Sequence, residues 1–255
     1  MHSINIIITL ISITAIILYF YFNVIKKEGF YSYSNVIPKV IVSTYHKKNK
    51  IPEKVFLNIR KYASNYKYLV FNDNEIISFL NKYYNNSVVE TFNNLKGPHK
   101  ADLFRYCYLY KFGGIYLDIK TELIENIDNI FNKRNVHFYT VISGGKFKNT
   151  IYQGIIATVP SNPFFLNLIN FMINIKKPVK YYQTFTKDFY KRLEKEYKMG
   201  LKSGFFRGKY NLYLFNEKCT KNSSDCKDGL DRYGRCCFIY DNKKIIKTRY
   251  SDYPW

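Results

Sequence analysis

The sequence predicts an α/β domain, a mostly parallel sheet flanked by helices, preceded by one N-terminal transmembrane helix. Three observations carry this reading. An uncharged apolar run opens the chain. Strand-like and helix-like patterns then alternate β-α-β-α. A helix, a double glycine and a short strand end together on charged residues.

The apolar run extends from Ser3 to Ile25 without a charge. About 20 apolar residues span a bilayer core. A signal peptide competes, but its apolar region is shorter and follows basic residues. Here the aromatics Tyr19 to Phe22 close the run, Lys26 and Lys27 follow it, and no small-residue cleavage motif is present. Residues 1–27 therefore read as an anchor to the membrane, 28–36 as a linker and 37–255 as the globular domain. Lys26 and Lys27 favour a cytosolic domain by the positive-inside rule.

Four cysteines in the C-terminal segment from about residue 210 point to an oxidising, ER- or Golgi-like lumen. Cys219, Cys226, Cys236 and Cys237 cluster there, and Cys107 stands apart. Disulfides, free buried thiols and a metal site all remain open, although the spacing lacks the C-x2-C pairs of structural zinc. The lumenal orientation is the weakly favoured one.

In the globular part, Lys39 to Thr44 is a β-branched run that reads as a buried strand. Pro52 opens a helix with Val55, Phe56, Ile59 and Tyr62 on one face. Tyr66 to Phe71 is a second strand, and Asn72 with Glu75 forms a capping box for a helix through Tyr84. A helix from His99 to Phe112, with an apolar stripe, ends at Gly113-Gly114. Ile115 to Ile119 follows as a strand, then strands Val136 to Ile142 and Ile151 to Val159. Ser161 caps a helix from Pro163 to Ile175, and an amphipathic helix covers Thr184 to Lys198. From Tyr210 onward the pattern reads as irregular strands and loops.

The formal net charge is +21. Such a balance suits an anionic partner, whether membrane surface, nucleic acid or phosphorylated small molecule. AT-rich codon bias gives the same excess of Lys, Asn, Ile and Tyr. The lysines are scattered rather than clustered as in nucleic-acid readers, so no nucleic-acid partner is expected.

The chemistry concentrates in Gly97 to Lys120. Asp102 and Arg105 are three apart on a helix and share a face. Strand alternation puts Tyr116, Asp118 and Lys120 on one side, with Asp118 and Lys120 at the carboxyl end, where open α/β sheets bind ligands. Each pair alone is no more than a surface ion pair worth under about 1 kcal/mol. Their combination is more specific.

The segments ADLFRY (Ala101 to Tyr106) and GGIYLD (Gly113 to Asp118) resemble glycosyltransferase family 32, the DXD-containing glycosyltransferases, and the catalytic core of the clostridial glucosylating toxins. Ile37 to Tyr45, Phe71 to Ile76 and Tyr152 to Phe165 extend the resemblance in order. It implies a GT-A-like fold and a retaining hexosyl transfer from a UDP- or GDP-sugar, a nucleotide-sugar donor, to a hydroxyl of a glycan or protein acceptor. Carried over by position, Tyr45 stacks on the nucleobase and Asp102 and Arg105 hold donor hydroxyls, Arg105 also reaching phosphate. Tyr116 joins the nucleotide-sugar site. Asp118 takes the first DXD position, at the ribose and a divalent cation, Mn or Mg.

The second DXD carboxylate is replaced by Lys120, whose ammonium cannot ligate a hard cation. In one reading Lys120 replaces the metal, so that Asp118, Lys120 and Arg105 are the catalytic set and the cation is weakly required. In another the protein is a non-catalytic sugar-nucleotide or glycan-binding relative with a degenerate motif. In a third, Glu122 or Asp252 supplies the missing ligand.

Overall fold

Alternating side chains along the central strands feed two separate hydrophobic cores, one on each face of a single sheet. Ile41, Ile115, Tyr139, Ile155 and Phe215 enter one core, while their neighbours Val42, Tyr116, Phe138, Ile156 and Leu214 enter the other. That period of two is what a sheet covered on both faces requires. The computed structural model describes residues 36–144, 148–175, 181–198, 200–221, 230 and 234–254. The expected anchor at Ser3–Ile25 lies outside them, as does most of the expected linker. Among the described residues no helix is long and apolar enough to cross a membrane.

The strands are β1 (Val40–Thr44), β2 (Lys67–Phe71), β3 (Gly114–Leu117), β4 (Glu122–Leu123) and β5 (Phe138–Ile142). They continue with β6 (Ile151–Thr158), β7 (Gly204–Phe206), β8 (Leu212–Lys221), β9 (Arg235–Asp241) and β10 (Lys243–Lys247). Their order is β2-β1-β3-β6-β5-β8-β9-β10-β4, with β7 beside β8. The β1–β2, β1–β3 and β5–β8 pairs are parallel. The β3–β6, β5–β6, β7–β8, β8–β9, β9–β10 and β4–β10 pairs are antiparallel. The α/β class holds, but the sheet is mixed rather than mostly parallel. Inserting β6 between β3 and β5 reverses the pairing on both of its sides, and such partner choice is non-local.

Seven α-helices cover the sheet: α1 (Glu53–Tyr62), α2 (Asp73–Tyr83), α3 (Asn86–Asn94), α4 (Pro98–Phe112), α5 (Ile127–Ile130), α6 (Pro163–Ile173) and α7 (Thr184–Tyr197), counted among the described residues. The Asn72–Glu75 capping box is formed in both directions. At α6 the cap is Asn162, whose side chain accepts from Phe164 N–H, and not Ser161, which sits at φ +57°. Helix α4 was expected to carry one apolar stripe. It is instead buried from Asp102 through Leu109 without interruption. A helix enclosed on all sides has no polar face, so its charged residues must be paired internally.

The double glycine sets where β3 begins. Gly113 lies at φ +64°, and a Cβ there would stand 2.6 Å from Pro160 N. A Cβ on Gly114 would stand 2.8 Å from Val40 O. Only glycine fits both the left-handed turn and the close approach to β1.

The C-terminal segment, expected to be irregular, forms regular strands. Cys219 and Cys237 are cross-strand partners on β8 and β9 and are joined by a disulfide. Cys236 is also disulfide-bonded, and Cys226 lies outside the described residues. Cys107 is free and fully buried, and burial pushes its thiol pKa up, which suppresses the reactive thiolate. Peptide mapping without reductant is expected to yield a Cys219–Cys237 linked peptide. Cys107 should resist alkylation until the protein is denatured. Rapid native alkylation of Cys107, or recovery of Cys219 and Cys237 as free thiols from native-source material, would contradict this account.

Candidate functional site

The carboxyl ends of β1 and β3 open into a cleft of about 1180 Å³. Its lining includes Tyr45, Asp102, Arg105, Tyr116, Asp118 and Lys120 from the sequence reading. It also includes Gln153, which lies in the Tyr152 to Phe165 segment but was given no role there, and residues that no motif marked: Arg235, Lys247, Arg249 and Tyr253.

Arg105 is the hub. Its Nη2 lies 3.4 Å from Asp118 Oδ1 and 3.5 Å from Asp102 Oδ1. Its Nε donates to Ala101 O at 3.1 Å, and its Nη1 donates to Gln153 O. The guanidinium stacks 4.3 Å from the Tyr116 ring centroid. Burial disfavours its charge, but Tyr116, Asp102 and Asp118 outweigh burial and keep it protonated. All three guanidinium nitrogens are thus held by protein acceptors. Arg105 faces two carboxylates, Asp102 and Asp118.

Asp102 is buried between Arg105 and His99, whose Nδ1 is 3.1 Å from Asp102 Oδ2. The His99 ring packs edge-on against Phe185 at 4.8 Å. Tyr116 is buried, and its hydroxyl shares a hydrogen bond of 3.2 Å with Thr44 Oγ1. Tyr45 is buried in a cluster with Ile51, Val55, Ile119 and Tyr250.

Strand β3 ends at Leu117, so Asp118 and Lys120 lie in the following turn, closed by Thr121 N–H donating to Asp118 O at 2.8 Å. The turn still brings the two side chains together, with Lys120 Nζ 3.4 Å from Asp118 Oδ2. Burial favours the neutral Asp118 carboxyl, yet Lys120 and Arg105 outweigh it and hold its pKa below the ordinary value. Lys120 Nζ also lies 5.8 Å from the Tyr152 ring centroid.

Gln153 is 4% exposed. Its Oε1 accepts from Tyr106 Oη at 2.5 Å, while its buried Nε2 has no hydrogen-bond partner. An orphaned buried amide costs roughly 1–3 kcal/mol. A polar ligand group in the cleft would satisfy it.

These residues do not fit a divalent cation at Asp118. Both of its oxygens face cations, Arg105 on one side and Lys120 on the other. Neither Glu122 nor Asp252 lines the cleft. Glu122 Oε2 lies 3.8 Å from Lys247 Nζ, and Asp252 is ion-paired with Lys54. Among the described residues, the three-ligand grouping suited to an ion is Glu217, Cys219 and Cys237, and its two sulfurs are joined in the disulfide.

Residues 52–137 match the family described as the glycosyltransferase sugar-binding region containing a DXD motif. The resemblance seen in ADLFRY and GGIYLD is thereby borne out over this segment. Within it, the triplet expected at the DXD position reads Asp118-Ile119-Lys120.

The chain is 29% identical over 146 residues to a mannosyl phosphorylinositol ceramide synthase of Saccharomyces cerevisiae, covering 56% of this chain and 37% of that protein. It is 30% identical over 114 residues to inositol phosphoceramide mannosyltransferase 3 of Schizosaccharomyces pombe, covering 43% and 32%. The chain thus spans about a third of the length of these curated relatives. Among solved structures it is similar to the PaToxG glycosyltransferase, at 16% identity and a TM-score of 0.46, with 63% of this chain and 69% of that chain covered.

Proposed function

We propose that the protein is a retaining glycosyltransferase that moves a hexose from a UDP- or GDP-sugar to a hydroxyl of a glycan, protein or lipid-linked acceptor. The observation that carries this reading is the continuous charged chain Asp102–Arg105–Asp118–Lys120 lining one cleft within the matched segment, with His99 behind it on Asp102. The names of the yeast relatives make mannose the first donor sugar to test and an inositol phospholipid the first acceptor.

In this reading Asp102 and the Gln153 amide hold donor hydroxyls, and Arg105 fixes the two carboxylates. Asp118 receives the ribose and orients Lys120. The acceptor oxygen bonds to the anomeric carbon from the face the diphosphate leaves, as the bond from that carbon to the diphosphate oxygen breaks. The acceptor proton passes to the departing diphosphate. Negative charge grows on that oxygen, and Lys120 is the cation placed against it. No metal is assigned a step, because the carboxylates around Asp118 do not fit one. An N-terminal anchor at residues 1–27 would keep the domain at a membrane, and the Cys219–Cys237 disulfide supports a lumenal placement.

The replacement of the second DXD carboxylate by Lys120 favours a second reading, a sugar-nucleotide or glycan-binding relative without turnover. A panel of UDP- and GDP-hexoses, each assayed for donor hydrolysis and for transfer, separates the two. Turnover of at least one donor is the expected result. Donor binding with no turnover would establish the second reading, and neither binding nor turnover would sink both.

A further inference from the structure

An ammonium carries one positive charge where a bound divalent cation carries two. Lys120 alone therefore leaves a departing diphosphate under-neutralised, and its charge is already shared with Asp118 at 3.4 Å. A second cation is needed on the same cleft.

Arg249 has the attributes of that cation. It lies two residues beyond the end of β10 and lines the cleft together with Asp118 and Lys120. Its neighbour Tyr250 donates its backbone N–H to Lys120 O at 2.8 Å, which ties the segment after β10 to the Asp118–Lys120 turn. Arg249 Nη2 donates to Tyr253 O, and the guanidinium lies 5.1 Å from the Tyr253 ring centroid. These contacts fix the group in place but leave its charge uncompensated. Among the described residues no carboxylate lies within ion-pair distance of Arg249, and its buried Nε–H has no hydrogen-bond partner. A buried donor on a cation, without an acceptor, calls for an anion. A guanidinium is well suited to phosphate oxygens because it presents planar paired donors.

Tyr253 reports the same convergence. Burial raises its phenol pKa, and among nearby groups Lys120, Asp118, Tyr45 and Arg249 act on it. Tyr253 lines the same cleft as these groups.

We infer that Arg249 and Lys120 together form a diphosphate-binding cation pair that takes the place of the family's divalent metal. The ligand class is a diphosphate ester, with Lys120 on one oxygen and the Arg249 Nε edge on another. The inference rests on the glycosyltransferase reading for its role in turnover, but binding of a diphosphate is testable without turnover.

Inorganic pyrophosphate is a suitable probe, because it needs no assumption about sugar or base. Its affinity for the full chain should be measured by calorimetry in EDTA, beside inorganic phosphate. Pyrophosphate is expected to bind more tightly than phosphate without metal. Arg249→Gln should weaken it about tenfold, the loss of one charge-assisted contact of about 1.4 kcal/mol. Arg249→Lys, which keeps the charge, should recover part of that loss and serves if the glutamine variant misfolds, with a thermal melt confirming the fold of each. Lys120→Ala combined with Arg249→Gln should abolish binding. Pyrophosphate binding only on adding Mn²⁺, or unchanged affinity in folded Arg249→Gln, would overturn the proposal. If pyrophosphate binds as described but no nucleotide sugar is turned over, the glycosyltransferase reading fails and the diphosphate site stands.

Discussion

Asp118→Ala is expected to lower donor turnover by about a hundred- to a thousandfold while the protein stays folded. The magnitude is that of removing one preorganised polar group from a transition-state site. The expectation of a retained fold has a specific basis. Arg105 keeps Asp102, Ala101 O and Gln153 O when Asp118 is removed, so no buried charge is stranded. Lys120 loses its partner, but its side chain is 27% exposed and water can solvate it. Asp118→Asn is the companion variant. It preserves shape but not charge, and it should be nearly as inactive if Asp118 orients Lys120 by its charge. Turnover within a factor of two of the unmodified protein in both variants would remove Asp118 from the mechanism. A collapsed melting temperature in both would assign it a structural role instead.

The second large effect concerns Lys120. Lys120→Ala removes the cation facing the leaving diphosphate and should cost about a hundredfold or more in rate. Lys120→Asp is the more informative change, because it recreates two carboxylates in the turn where the DXD triplet normally stands. Asp118 would then face a carboxylate in place of an ammonium, and the pair would attract a hard cation. Its activity should be negligible in EDTA and rise steeply with Mn²⁺. Arg249 remains in this variant as a competing positive charge, so full recovery is not expected.

Much of this site was legible in the sequence because its geometry is local. The Asp102–Arg105 spacing within one helical turn, the Gly113-Gly114 stop and the Asp118–Lys120 proximity all depend on a few consecutive residues. The capping box at Asn72 and Glu75 was legible for the same reason. What local pattern gave wrongly was environment. The α4 sequence reads as a helix with one apolar stripe, yet Asp102 and Arg105 are buried, because each is neutralised by a partner from the site itself. The burial of Tyr45 in one cluster with Tyr250, more than 200 residues away in the chain, was not legible either. Pairings between distant segments were not legible at all. The antiparallel insertion of β6, the β8–β9 ladder and the arrival of Arg249 on the same cleft as Lys120 are decided by partners that no periodicity names. Gln153 lay within the resembling Tyr152 to Phe165 segment but drew no role there, although a long amide in a buried apolar strand needs a reason to be tolerated.

The central claim is that the positive charge serving the departing diphosphate is built from the chain itself, with Lys120 as its first member. The most direct test is the turnover of the accepted nucleotide sugar by the unmodified protein, measured after exhaustive EDTA treatment and again after adding Mn²⁺. The account predicts that most of the activity survives chelation and that Mn²⁺ changes it by less than about threefold, well under one charge-stabilised contact. Complete loss of activity in EDTA with full rescue by Mn²⁺ would contradict it.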